Sequence, residues 1–182
     1  MSNGEQGSGA SGLLVLARAL AYVVDADNRT TVEEKAKMLT VLGKHVARGD
    51  ITNRQLRGLM DDAFNHASLV PVERVSDDIK EKVTPAQKAS LIMNLYDAML
   101  VDGQVASGER TILDKFVAAF EMSRNTIRAL REIIMLKNDT GLFTDARHPF
   151  NEPSFRLDLQ LIGAFESGQP PELKYKPREE KK

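Results

Sequence analysis

A chain of 182 residues with 42% hydrophobic and 28% charged residues is long enough to bury one core. A net charge of -1 excludes the strongly basic footprint of a dedicated nucleic-acid binder, and no nucleic-acid partner is expected. The absence of Cys removes disulfides, thiolate metal sites and Cys nucleophiles.

No stretch approaches the roughly 18 apolar residues needed to cross a bilayer. Leu13–Val24 comes nearest, but Arg18 interrupts it. The Gly/Ser-rich start lacks the positive charge of a signal peptide. These features predict a cytoplasmic protein, with peripheral attachment to a membrane left open.

Residues 1–12 are Gly/Ser-rich and are expected to form a disordered tail. Leu13–Val24 is apolar on nearly every side and predicts a helix buried on most of its surface. The turn Asp25–Thr30 ends it. Thr31-Val32-Glu33-Glu34 is a capping box, opening a helix on Met38, Leu39, Val41, Leu42 and Val46 that Gly49-Asp50 stops. Thr52-Asn53-Arg54-Gln55 is a second box, leading into Leu56, Leu59, Met60, Ala63 and Phe64.

Residues 68–83 read as a linker. Val70-Pro71-Val72 predicts extended backbone, because Pro disfavours helix in the residue before it. Asp77–Lys82 predicts a single helical turn, and Leu69, Val70, Val72 and Val75 suggest a packed connection. Thr84-Pro85-Ala86-Gln87 is a third box with Pro at the first helical position. Its helix carries Leu91, Ile92, Leu95, Ala98, Met99 and Leu100. Ser107 is the expected N-cap of the next, on Ile112, Leu113, Phe116, Val117 and Phe120. Ser123 caps another, on Ile127, Leu130, Ile133, Ile134 and Leu136.

Two of these stretches match. An offset of 75 relates Asp27 to Asp102 and Glu34 to Glu109; an offset of 71 relates Thr52 to Ser123 and Leu56 to Ile127. The first stretch therefore carries four extra residues, placed in a loop around Ala47–Asp50. The predicted fold is all-α: a single compact helical bundle from two related three-helix units, 13–67 and 84–137, joined by linker 68–83. Residues 138–168 add a loop and a C-terminal helix on Phe155, Leu159, Ile162 and Phe165, and 169–182 form a charged tail.

The pattern in the second unit runs Asp97-Ala98-Met99-Leu100-Val101-Asp102-Gly103-Gln104-Val105, then Glu109-Arg110, Phe116, Phe120, Met122-Ser123 and Ile127. It resembles the TerB-like family, named for tellurite-resistance operons. Val101 stands where the family usually has a small residue. In the first unit Asn28 takes the Gly position and Thr30 the aliphatic one. The resemblance covers residues 13–137. It implies an all-helical, internally duplicated, non-enzymatic domain with acidic residues near its turns and a stress-related or membrane-associated role. No residue points to tellurite chemistry itself.

The acidic residues have two readings. Asp25, Asp27, Glu34, Asp102 and Glu109 could hold a divalent cation such as calcium or magnesium, which prefer oxygen ligands. Alternatively the Glu residues cap helix starts and the Asp residues bond turn N–H groups, which explains each without an ion. An EF-hand register fails, since Thr30 and Ala36 would occupy its Gly and Glu positions. His45, His66 and His148 share no metal-ligand spacing, and Gly7–Gly12 lacks the strand and Gly-Lys-Ser/Thr of a phosphate loop.

Arg124, Arg128 and Arg131 share one helix face that could meet phosphate, RNA or acidic lipid headgroups; with net charge near zero and no interleaved aromatics it is read as solvated. Phe143, Phe150, Phe155, Leu159, Ile162 and Phe165 are the candidates for binding a protein partner. The functional expectation is a protein-interaction or adaptor module, with a cation-responsive sensor as the alternative and catalysis by the paired carboxylates ranked last.

Overall fold

The computed structural model describes residues 5–26, 32–100 and 106–155. Its helices are α1 (Glu5–Val24), α2 (Val32–Ala47), α3 (Asn53–Leu69), α4 (Val72–Lys80), α5 (Pro85–Met99), α6 (Ser107–Ala119), α7 (Arg124–Asn138) and the short α8 (Gly141–Thr144). A 3-10 turn, Pro149–Asn151, follows, and there is no β-strand among the described residues. The fold is all-α.

The hub is α1. Ala17, Ala19, Leu20, Ala21 and Val23 are essentially inaccessible. Three of these five are Ala, so neighbouring helices approach closely, and α1 packs against α2, α3, α4, α5 and α6. One apolar cluster draws on α1 through α7, with Met38, Leu56, Ile79, Leu95, Phe116 and Leu130 each contributing from a different helix.

α1 begins at Glu5, so the stretch expected to be a disordered tail is helical from residue 5 onward. Extending an existing helix gains one hydrogen bond per residue fixed, which offsets the weak propensity of Gly and Ser.

The local signals behave as their chemistry requires. The Thr52 and Thr84 hydroxyls each accept from the N–H of the Gln three residues on, and Gln55 and Gln87 return bonds of 2.8 and 2.9 Å. Ser123 accepts from Thr126 N–H at 3.1 Å. The Thr31 box falls outside the described residues. At Val70 the backbone is extended, as the following Pro demands, but Val72 is already helical. The expected single turn is a full helix, α4. Pro71 supplies its N-cap, and Val72, Val75, Ser76 and Ile79 form its buried stripe.

α2 and α6 end alike. Gly49 (φ 77) and Glu121 (φ 54) take the left-handed conformation just past each helix. Gly49 N–H bonds Val46 O and Asp50 N–H bonds His45 O; Glu121 N–H bonds Ala118 O and Met122 N–H bonds Val117 O. Both are Schellman closures. α2 has 16 residues against 13 in α6. Three of the four extra residues thus lengthen the helix, contrary to the expected loop insertion. A near-integral turn preserves the buried face.

Candidate functional site

The acidic turns were the first candidate. Asp25 N–H donates to Ala21 O at 2.9 Å and Ala26 N–H to Val23 O at 3.3 Å, closing the end of α1. Ala26 then runs against the first turn of α6. A Cβ placed on Gly108 would lie 2.9 Å from the Ala26 carbonyl oxygen, closer than two such atoms approach. Only Gly at 108 allows this contact, which sets the start of the first turn beside the helix that leaves the second. Gly108 carries no sequence signal except as a poor helix former in a helix start.

The N-cap of α6 is Ala106, not Ser107. Ala has no side-chain acceptor, so only half of a capping box exists: the Glu109 carboxylate accepts from Ala106 N–H at 2.9 Å. That anchorage, with the negative charge in the first turn, is sufficient to start the helix. Asp25 is half-buried at the exit of α1. Asp27, Asp102 and the side chain of Glu34 lie outside the described residues. Among the described residues no three His, Asp or Glu side chains converge as a metal-binding group.

Two side-chain latches join pairs of helices, one between α1 and the end of α3 and one between α5 and α7. In the first, the Tyr22 hydroxyl donates to Val70 O at 2.6 Å and lies 3.4 Å from His66 Nδ1. Arg18 pairs with Asp62 at 2.9 Å one turn away. Burial pushes the Tyr22 hydroxyl above its ordinary pKa. Burial, then the Arg18 charge, pushes His66 below 6.5, against the opposing charges of Asp62 and Asp78. In the second, Asp97 accepts from Lys137 Nζ at 2.6 Å and Asn138 Nδ2 at 2.7 Å. Burial pushes this carboxyl up, but the Lys137 and Asn138 bonds and the charges of Lys137 and Lys44 outweigh it, leaving it below its ordinary pKa. Tyr22 and Asp97 are 75 apart, and His66 and Lys137 are 71 apart, the same offsets as before.

The C-terminal described segment folds on itself. His148 Nε2 lies 2.9 Å from Asp139 Oδ2, and His148 Nδ1 accepts from Phe150 N–H at 3.2 Å. Both ring nitrogens are engaged, so His148 clasps the segment between Asp139 and Phe150. Asn151 Nδ2 donates to Leu142 O and Asp145 O. The Phe150 and Phe155 rings lie 5.1 Å apart, and Phe150 also meets His148 edge-on. Phe143 touches little and is 96% exposed. Leu159, Ile162 and Phe165 lie outside the described residues. Of the remaining candidates, His45 faces Asp50 at 2.9 Å, and Arg128 approaches Glu132 at 4.0 Å.

The described residues thus form an all-α domain built on a central buried helix, with Glu109 capping the start of α6. The family model described as "Tellurite resistance protein TerB" matches residues 13–132. The chain belongs to the TerB family. Neither the comparison with curated proteins nor that with solved structures produced a match. Among the described residues no helix is long and apolar enough to cross a membrane.

Proposed function

We propose that this TerB-family protein is a non-enzymatic interaction module that engages a protein partner through its C-terminal segment, with Phe143 as the anchor. The supporting observation is that Phe143 is 96% exposed on a segment whose backbone is already tied down. Asp139 accepts from Gly141 N–H at 2.9 Å on one side of it, and Asn151 holds Leu142 O at 2.9 Å on the other. A large apolar ring held in water by a preorganised loop loses little entropy on docking, and aromatic residues dominate binding hot spots. Phe150 and Phe155 pack on one another in the same segment. The setting we infer is cytoplasmic, stress-related and adjacent to a membrane complex.

The test is affinity capture from the host's soluble and detergent-solubilised membrane fractions, comparing wild type with Phe143→Ala. A partner held saturably by wild type and weakened at least about tenfold in the variant is the expected result. Equal capture by both would overturn the assignment.

A second reading is a divalent-cation sensor. It is favoured by the Ala26–Gly108 contact, which sets the end of α1 against the first turn of α6, beside Glu109. An ion bound only by the folded state raises the melting temperature. Millimolar calcium or magnesium should do so over a chelated control, and unchanged melting would remove the reading.

A further inference from the structure

The two ring nitrogens of His148 are held in opposite senses. Phe150 N–H donates to Nδ1 at 3.2 Å, so that nitrogen carries no proton. The proton of the neutral ring then lies on Nε2, 2.9 Å from Asp139 Oδ2. This pattern fixes the Nε2–H tautomer and leaves no place for a second proton. The ring is also closely seated, with 16% of the side chain exposed. A Cβ on Gly141 would stand 3.0 Å from His148 Cδ2 and 3.1 Å from Asp139 Oδ1.

These contacts close the loop that carries Phe143. Asn151 Nδ2 bonds Leu142 O and Asp145 O across it, and the Phe150 ring lies 5.3 Å from His148 and 5.1 Å from Phe155. Asp139, at the end of α7, is the charged group in contact with the His148 ring. Asp145 accepts from His148 N–H through its carbonyl at 3.1 Å, but its carboxylate accepts from Arg147 N–H at 2.8 Å. Arg147 and Glu152 are exposed, and α8 and the 3-10 turn carry no charged side chain.

We propose that His148 is a proton-operated catch on the Phe150 turn. A proton added at Nδ1 faces the Phe150 N–H, so that bond is lost, whereas the imidazolium holds the Asp139 carboxylate more strongly. The two contacts therefore oppose one another. The clasped state excludes the second proton and the released state accepts it, so acid favours release. Histidine is the side chain that changes charge between about pH 5 and 8. On release the ring stays on Asp139, while the turn Pro149–Asn151 is freed from it. The consequence for a partner rests on the reading of Phe143 as the anchor: the loop presenting it is tied in neutral solution and slack in acid.

The test is NMR of the full 15N-labelled chain from about pH 8 to pH 5. No partner is present, so the outcome is independent of whether Phe143 anchors one. In neutral solution the His148 ring should show the Nε2–H form. As the ring takes up its proton, the Phe150 amide should shift with the same midpoint. Its protection from exchange, corrected for the intrinsic rate at each pH, should fall roughly two- to tenfold, the worth of one hydrogen bond. His148→Asn places an oxygen on Cγ where Nδ1 stood and does not titrate, so its Phe150 amide should keep its protection across the range. An Nδ1–H form in neutral solution, or a ring that takes up no proton by about pH 5, overturns the proposal on wild type alone. Protection that is unchanged in wild type as the ring titrates, or that falls equally in His148→Asn, overturns it as well.

Discussion

Replacing Gly108 with Ala should destabilise the protein, although Ala is the better helix former. The added Cβ would stand 2.9 Å from Ala26 O and 3.4 Å from Ala26 C. Both are backbone atoms, so relief requires the end of α1 or the start of α6 to shift. Overpacking of this kind costs about 1–3 kcal/mol. The propensity gain is at most about 1 kcal/mol and smaller in a first helical turn. The expected balance is a loss of about 1–2 kcal/mol, or roughly 2–8 °C in melting temperature for a chain of this size. Gly43 and Gly58 supply the controls, since both lie inside helices and a Cβ on either meets nothing within 4 Å. Their Ala variants should gain roughly 0.5–1 kcal/mol. Urea unfolding of the three variants beside wild type measures all the signs at once. A Gly108→Ala protein stabilised like the other two would refute the close approach of the turn to α6.

The left-handed helix ends should respond in opposite directions. Glu121→Gly removes a side chain from a φ of 54 and should gain up to about 1 kcal/mol, whereas Gly49→Ala at φ 77 should lose about 1 kcal/mol; a neutral Gly49→Ala in chemical denaturation would contradict the assigned closure. His66 makes stability pH-dependent. Its folded pKa lies below 6.5, so below 6.5 the unfolded chain takes up a proton more readily than the folded one. Its contribution is therefore complete above 6.5 and is lost as pH falls through the depressed folded value. Unfolding free energies measured down to about pH 5 should fall more steeply for wild type than for His66→Gln, and equal slopes would exclude His66 as the source.

What was legible in the sequence was local. Thr52, Thr84 and Ser123 announce helix starts because a hydroxyl and the N–H it satisfies lie within four residues of one another. The apolar stripes of α3, α5 and α7 follow from periodicity in the same way. α4 was partly concealed, since the charges between Val75 and Ile79 mask an apolar spacing that is clear once the buried residues are known. Ser107 looked like a cap because its residue type is right, yet Glu109 starts the helix one residue earlier on Ala106. The latches could not be read at all. Tyr22 meets His66 across 44 positions and Asp97 meets Lys137 across 40, and no pattern in composition pairs such residues. Of the candidate acids, Glu109 has the capping bond that one reading required. Phe150 and Phe155, picked as partner-binding residues, spend part of their apolar surface on each other.

The placement of α4 bears on how this chain can be divided. It connects the two sets of three helices, but it also buries Val72, Val75 and Ile79, packs against α1 and α6, and ties to α6 through Lys115 and Glu73 at 2.6 Å. Without α4, the faces of α1 and α6 that it covers would be open to water. The segment expected to be a linker is thus part of the common core, its buried stripe shared with α1 and α6.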